Sequence, residues 1–221
     1  MGSYYNSSFT GEQIESAVGK ALKLGETIDA YTATDEAAFN TALSEIVASM
    51  PSRSTKQVAF NLNDYLGTAP YWLATIYKYS SAVATVKCSV ASWGGTSFQK
   101  TYMSGAWKPL EWINPPMGVG IVYRTAERWN GKPVYVKLID FGTLPDKAAK
   151  STDHGIEDIE HVVRTDCTTY STSASFNMPY GNASEIGYVY ANKTTVKIYT
   201  TGTLGTYGYS AYVAVYYTKT S

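Results

Sequence analysis

The sequence predicts a mainly β fold with N-terminal helices, and its composition and tyrosine pattern lead to that class. The 221 residues are 44% hydrophobic and 16% charged, with 18 basic and 18 acidic side chains. Such a chain is hydrophobic enough, and close enough to neutral, to bury a core. Tyrosine occurs 20 times, and ten of these residues follow position 168 among Thr, Ser, Gly, Ala and Val. Aromatic and β-branched residues mixed with small polar ones are typical of strands and tight turns.

The first fifty residues have helical spacing. Thr10-Gly11-Glu12-Gln13 fits a capping box, and a helix is predicted over 11–24. Its apolar stripe consists of Ile14, Val18, Ala21 and Leu22. A helix this short is marginal alone, so the stripe needs a partner within the chain or on another copy. A second helix is predicted from Thr34 or Asp35 to Pro51, with one apolar face made of Phe39, Leu43, Ile46, Val47 and Met50.

From Thr55 the hydrophobic period changes to two, which indicates strands. The predicted strands are Gln57–Leu62, Tyr71–Tyr79, Val83–Val90, Phe98–Met103 and Trp107–Trp112. Pro115 and Pro116 then mark the clearest boundary, because two prolines interrupt a hydrogen-bonded ladder.

After this boundary the sequence predicts a hairpin and a series of short strands. Val119–Trp129 and Pro133–Phe141 flank Asn130-Gly131, the residue pair preferred in two-residue hairpin turns. Leu144–Gly155 is predicted to be a loop. Further strands are predicted at Ile156–Thr165, Ala174–Met178, Ile186–Tyr190, Thr194–Thr200 and Ser210–Thr218. This spacing favours an antiparallel, jelly-roll-like β-sandwich.

Charge and composition divide the chain into three predicted parts. Net charge is −5 over residues 1–50, +4 over 51–114 and +1 over 115–221. From the predicted elements we expect a helical entry and trimerisation segment over 1–34, a small α/β domain over 35–114 that contains the second helix, and a β-sandwich tip domain over 115–221. A three-fold bundle of copies would bury the stripe of the first helix.

Several partners are not expected. A net charge of zero removes the electrostatic attraction on which nucleic-acid binding depends. The apolar runs are far shorter than the ~20 residues that span a bilayer, so membrane insertion is not expected. Gly2-Ser3-Tyr4-Tyr5 lacks a basic region followed by an apolar segment, so no classical signal peptide is expected. Two cysteines and two histidines predict no disulfide framework, no metal site and no cofactor.

The sequence also predicts no enzyme. The densest group of ionisable residues is Asp153 to His161, but a strand there would split its side chains between two faces. We interpret it as a solvated strand with its preceding loop. No serine lies in a Gly-x-Ser-x-Gly elbow, and Cys88 lies within a strand pattern typical of a buried thiol. Glycosidases need only two carboxylates, so a glycan depolymerase stays the alternative.

Two hairpins and the N-terminus resemble phage tail proteins. Phe98–Met103, the Ser104-Gly105 turn and Trp107–Trp112 resemble the knob hairpin of phage tail fibres and pyocin tail proteins. Lys108 and Pro109 depart from that pattern. A second hairpin, Val122 to Lys137, resembles prophage tail proteins of gut Firmicutes. The further strings that share this resemblance are His154-Gly155-Ile156 and Phe9 to Ile14.

The resemblance implies a tail-fibre or receptor-binding protein of a phage or prophage. Such proteins are usually homotrimers in the virion tail, associated with other tail proteins. The chain would act as a non-enzymatic adhesin whose tip binds host cell-surface polysaccharide. A free-standing bacterial carbohydrate-binding module is a further alternative.

Tyrosines on glycine-containing turns are the predicted ligand-binding residues, because such turns present rings to solvent on a rigid frame. These tyrosines are Tyr180, Tyr207 and Tyr209. The alternative is that they pack against neighbouring chains. The knob aromatics are expected to be mostly buried; they are Tyr71, Trp72, Tyr77, Trp107 and Trp112.

Overall fold

A computed structural model describes residues 28–67, 71–90, 95–181 and 185–220. Their helices and strands are, in chain order, β1 (Ala30–Thr32), α1 (Glu36–Ser49), β2 (Ser54–Asn61), α2 (Asn63–Leu66), β3 (Tyr71–Lys78), β4 (Val83–Val90), β5 (Ser97–Met103), β6 (Ala106–Trp107), β7 (Glu111–Asn114), β8 (Val122–Trp129), β9 (Lys132–Thr143), β10 (Ala149–Asp153), β11 (Ile159–Tyr170), β12 (Ser175–Met178), β13 (Tyr180–Gly181), β14 (Ile186–Ala191), β15 (Thr195–Thr200) and β16 (Ser210–Lys219). The mainly β class is confirmed. The helix predicted over 11–24 lies outside the described residues. No helix in the described ranges is long and apolar enough to cross a membrane.

The first half of the described chain forms an α/β layer. Strands β2 to β5 are antiparallel neighbours, β1 adds to β2 in parallel, and β7 pairs with β5. Helix α1 begins after Asp35, whose carboxylate accepts a hydrogen bond from the Ala38 amide at 2.7 Å. It ends at Met50, next to Pro51. The apolar face predicted from the sequence is the buried one and includes Phe39, Leu43, Ile46 and Val47.

Aromatic rings fill the space between α1 and this sheet. Phe39 meets Phe60 edge to face, with ring centroids 4.9 Å apart. Phe98 extends the cluster, lying 5.1 Å from Trp72 and 5.6 Å from Trp112. Rings in such tilted and edge-to-face pairs attract each other beyond the gain from burying their surface.

The second half forms a β-sandwich. The five strands β8-β9-β16-β11-β12 pack against the four strands β10-β15-β14-β13. The core between the two sheets includes Ile139, Phe141, Val196, Ile198, Val213, Val215 and Tyr217. The predicted hairpin joins β8 to β9, with positive φ at Asn130 (48°) and Gly131 (77°) as a type I′ turn requires. The sandwich class agrees with the sequence prediction, and the jelly-roll detail stays a prediction.

Several local predictions differ from the structure. Leu144–Gly155 is not all loop, because β10 pairs with β15 within it. This edge strand is short and polar, so it lacks the apolar alternation that identifies a half-buried strand. Trp107–Trp112 is not one strand: β6 ends at Trp107 and β7 begins at Glu111. Pro109 lies between them and has no N–H to donate to a ladder. Strand β1 and the short helix α2 were not predicted, and Tyr180, predicted on a turn, lies in strand β13.

The core of the α/β layer extends into the strands of the sandwich. Trp112 of β7 is the parallel partner of Thr125 on β8, and its ring meets Tyr123 edge to face at 5.7 Å. Val136 and Ala214 come from the sandwich, yet both belong to the core cluster of the α/β layer. The domain boundaries stay predictions, but side chains pack across the Pro115-Pro116 segment.

A half-buried carboxylate reinforces this junction. Glu111 is only 12% exposed and accepts hydrogen bonds from the Arg124 guanidinium at 3.0 and 3.1 Å and from Arg128 at 2.5 Å. Glu127, on the same strand as both arginines, is bound by Arg164 of β11 through two contacts of 2.6 and 3.0 Å. Charge-assisted hydrogen bonds of this kind are stronger than neutral ones.

We predict that Glu111→Gln lowers the free energy of unfolding by about 1–3 kcal/mol, because two guanidinium groups lose their charged acceptor. Urea denaturation measures the change. Glu157→Gln is the matched control: Glu157 is exposed, so its effect should stay within about 0.5 kcal/mol. Equal midpoints for the two variants would show that the junction does not depend on Glu111.

Candidate functional site

The structure brings the three predicted tyrosines together in one cavity of about 410 Å³. The cavity lies between strands β12 and β13 and the loop of residues 201–209. Its lining consists of Ser171, Ser173, Phe176, Tyr180, Glu185, Leu204, Tyr207 and Tyr209. We call it the tip cavity. The structure places all three tyrosines in the lining of this cavity. That they bind a ligand stays a prediction.

Phe176 is the centre of the aromatic wall. Its ring centroid lies 4.7 Å from that of Tyr180 and 5.3 Å from that of Tyr209. Tyr207 stands at the rim with 67% of its surface exposed. The rings of Phe176, Tyr180 and Tyr209 therefore pack together at the base of the wall, and the ring of Tyr207 is exposed to solvent.

Sequence analysis missed Phe176, Glu185 and Leu204 as lining residues. Phe176 carried a signal, since it alternates with the buried Met178 on a predicted strand and so shares its face. Glu185 carried none, because its place in the cavity depends on the distant loop of residues 201–209.

That loop is fixed to the segment before β10. The Asp146 carboxylate accepts the Thr206 amide hydrogen at 3.0 Å and the Thr206 hydroxyl hydrogen at 2.6 Å. The Leu144 amide donates to the Tyr209 carbonyl at 2.9 Å, and the Lys147 amide donates to the Gly202 carbonyl at 2.8 Å. These hydrogen bonds fix the position of the loop backbone that carries Tyr207 and Tyr209.

Two glycines permit the close approach that this arrangement requires. A Cβ atom at Gly205 would lie 2.2 Å from the Leu144 carbonyl oxygen, and one at Gly202 would lie 2.5 Å from Cδ of Glu185. Any larger residue at either position would displace the loop or the carboxylate. The Glu185 side chain is thereby placed directly over Gly202, at the edge of the cavity.

The tip cavity has the chemistry of a site for a neutral, hydroxyl-rich ligand. Among its described lining residues, Glu185 is the one charged side chain. A lining without a cation gives no attraction for phosphate or carboxylate ligands. Aromatic rings pack against apolar C–H surfaces, while a carboxylate and serine hydroxyls accept hydrogen bonds from ligand hydroxyls.

The histidines and cysteines are placed apart from this cavity. His154 is buried, its Nδ1 accepts the Ile156 amide hydrogen at 3.0 Å, and its Nε2 lies 3.2 Å from the Asn192 carbonyl oxygen. Burial raises the pKa of the Cys88 thiol, and raises that of Cys167 to about 12. Within the described ranges, no three His, Cys, Asp or Glu side chains are grouped to hold a metal ion.

No protein-family model and no curated protein matches the chain. Three solved structures of pyocin fibres are similar to it. An N-truncated R2-type pyocin tail fibre is 10% identical, with a TM-score of 0.28 over 87% of this chain and 98% of that chain. The R1 and R2 pyocin fibres of P. aeruginosa are 10% and 11% identical, with TM-scores of 0.26 and 0.27. Each match covers 87% of this chain, and 68% of the R1 chain and 67% of the R2 chain.

These neighbours are tail fibres, the kind of protein that the sequence resemblance implies. They give no support to an origin in gut Firmicutes. Because identity and TM-score are this low, the function proposed below is drawn from the residues of this chain.

We predict that Asp146→Asn loosens the loop of residues 201–209. Hydrogen bonds from the Thr206 side chain and backbone hold the pKa of Asp146 below its usual range. The carboxylate therefore stabilises the loop above the ordinary Asp pKa of about 3.9. This stabilisation is lost as pH falls through the lower, folded-state pKa.

Amide hydrogen exchange at Thr206, corrected for its intrinsic pH dependence, measures this effect. Protection in the unmodified protein should fall only below a pH of about 3.9, whereas the Asn variant should be weakly protected at every pH. Identical protection in both proteins would show that Asp146 does not hold the loop.

Proposed function

We propose that this protein is a non-enzymatic receptor-binding protein of a phage or prophage tail, located in the virion, that binds host cell-surface glycan in the tip cavity. The observation that carries the proposal is the convergence of Tyr180, Tyr207 and Tyr209 with Phe176 and Glu185 in that cavity. The tail-protein resemblance of the two hairpins supports the virion location.

The lining supports an uncharged sugar as the ligand. A pyranose ring has apolar C–H faces that pack against aromatic rings, and hydroxyls that donate to acceptors such as the Glu185 carboxylate. The loop that carries Tyr207 and Tyr209 is already hydrogen-bonded in place, so little conformational entropy is lost on binding.

The carboxylates support binding without hydrolysis. Glycosidases use two carboxyl groups about 5–10 Å apart on either side of the scissile bond. Among the described lining residues Glu185 supplies one, and the nearby Asp146 accepts hydrogen bonds from Thr206 through both of its oxygens. A single carboxylate in the described lining favours binding over hydrolysis, and the tail-type hairpins favour a virion protein over a free-standing module.

Attachment would depend on several copies. Each aromatic contact contributes about 1 kcal/mol, so a single tip cavity binds weakly. A homotrimer, as the sequence resemblance implies, would present three cavities whose combined binding exceeds that of each one.

We predict that Tyr207→Ala reduces binding to bacterial cells at least about fivefold without lowering the melting temperature, because an exposed ring contributes contact area and little packing. Fluorescently labelled protein is titrated onto a bacterial strain that the unmodified protein labels. Tyr71→Ala is the matched control, since Tyr71 is 63% exposed on the α/β layer.

A triple variant with Tyr180, Tyr207 and Tyr209 replaced by alanine tests whether the tip cavity is the receptor-binding site. Unchanged attachment of a folded triple variant would remove the tip cavity as the receptor site. Lost attachment with a collapsed melting temperature would assign the rings to packing. Release of reducing ends from the cell-wall polysaccharide, abolished by Glu185→Gln, would instead support the depolymerase.

We predict that native light scattering of the full chain at micromolar concentration gives three times the mass of one chain. The apolar stripe predicted at 11–24 needs a partner, and three copies would bury it on a common axis. A mass equal to that of a single chain would contradict the trimer. Attachment would then depend on one tip cavity, without the combined binding of three.

A further inference from the structure

A second cleft lies on the α/β layer, between α1 and the hairpin of β5 and β6. It consists of two adjoining cavities of about 260 and 380 Å³ that share Ser44 and Tyr102 in their linings. We call it the knob cleft. It is distant in sequence from every lining residue of the tip cavity.

The wall of the knob cleft is a fixed tryptophan. Trp107 pairs with Tyr102 across the hairpin, with ring centroids 5.4 Å apart, and its indole N–H donates to Ser44 Oγ at 3.1 Å. The turn between the strands has positive φ at Ser104 (56°) and Gly105 (83°). The expectation that most of the knob aromatics are buried is wrong: Trp72 and Trp112 are buried, but Tyr77 and Trp107 are half-buried and Tyr71 is 63% exposed. Trp107 lines a cavity that opens to solvent.

Lys78, the one cation among the described lining residues of the knob cleft, is hydrogen-bonded to the fold. The Lys78 ammonium donates to the carbonyl oxygens of Val47 and Met50, both at 2.6 Å. These carbonyls end α1, where a cation satisfies unpaired acceptors and the helix dipole. Lys78 is thus committed to the helix end, and Glu45 adds a carboxylate to the lining.

Two hydroxyl groups of α1 line the cleft, and each already donates a hydrogen bond within the helix. Thr41 Oγ1 donates to the Ala37 carbonyl at 2.9 Å, and Ser44 Oγ donates to the Asn40 carbonyl at 2.7 Å. Thr41 Oγ1 and the Glu45 carboxylate can therefore accept hydrogen bonds from a ligand. An uncharged sugar has both features that this lining favours: a C–H face that packs on an indole, and hydroxyls that donate hydrogen bonds.

We propose that the knob cleft is a second saccharide site, in which an uncharged sugar ring stacks on Trp107 and donates hydroxyl hydrogen bonds to Glu45 and Thr41. Glu45 disfavours phosphate and uronate ligands by like-charge repulsion. This site is separate from the proposed receptor site. Sugar binding in the knob cleft does not depend on sugar binding in the tip cavity.

The test follows the tryptophan indole N–H signals by NMR of the ¹⁵N-labelled full chain. Galactose, rhamnose and N-acetylglucosamine are the neutral probes, and glucuronate is the anionic one. Trp107→Phe identifies the signal of the cleft. Trp129→Phe identifies a control signal, because Trp129 is 45% exposed at the end of the β8–β9 hairpin.

We expect at least one neutral sugar to shift the Trp107 signal saturably, while glucuronate and the Trp129 signal show no saturable change. Glu45→Gln should weaken the apparent affinity about tenfold at an unchanged melting temperature, since Glu45 is exposed. The Trp107 response should persist in Tyr207→Ala, which separates it from binding at the tip.

Three results would overturn the proposal. The first is an unshifted Trp107 signal at the highest soluble concentration of every neutral sugar. The second is an equal response at Trp107 and Trp129, which indicates non-specific association. The third is an equal affinity for glucuronate, or an affinity that does not change in Glu45→Gln.

Discussion

The fold is organised around β16, in which every residue from Ala211 to Tyr217 is buried or half-buried. Val213 and Val215 face the core of the sandwich, whereas Ala214 between them belongs to the core of the α/β layer. The same strand pairs with β9 on one side and with β11 on the other. Strands buried on both faces have nearly continuous apolar sequences, as Ala211 to Tyr217 does. The two cores therefore meet at β16 and at its neighbour β9, which contributes Val136 to one core and Ile139 to the other.

The position of the tip cavity follows from that strand. The loop of residues 201–209 leads directly into β16, whose Ser210 pairs with Thr143 of β9. The chain that follows β9 returns through Asp146, which holds Thr206 of the same loop. Tyr207 and Tyr209 thus lie on a loop that continues into β16 at one end and is hydrogen-bonded to Asp146 through Thr206. An exposed ring on such a frame loses little freedom on binding a ligand.

Local sequence signals predicted most elements, because each signal acts within a few residues. Asp35, the spacing from Phe39 to Val47, and Asn130-Gly131 each specify a cap, a buried face or a turn without help from the rest of the chain. Strand β10 was missed because its pairing with β15, not its own pattern, makes it a strand. Strand β1 has three residues and no buried face, so its register on β2 is likewise a tertiary property.

The sites were less predictable than the fold. Tyrosines on glycine-containing turns indicated three lining residues of the tip cavity, but Phe176 and Glu185 join them only through contacts between distant segments. For the knob cleft, the sequence grouped Trp107 with aromatics most of which were expected to be buried, because a two-residue alternation cannot tell a core ring from one at a strand end. Its hydrogen bond to Ser44 depends on how α1 lies on the hairpin.

The most direct measurement of the central claim is a crystal structure of the full chain soaked with oligosaccharide released from the polysaccharide of a bacterium that it labels. The account predicts a sugar ring in the tip cavity, packed against Tyr207 or Tyr209, with a hydroxyl within hydrogen-bond distance of Glu185 and the loop of residues 201–209 unmoved. A saccharide bound elsewhere with the tip cavity empty, or one seated only after that loop has rearranged, would contradict it.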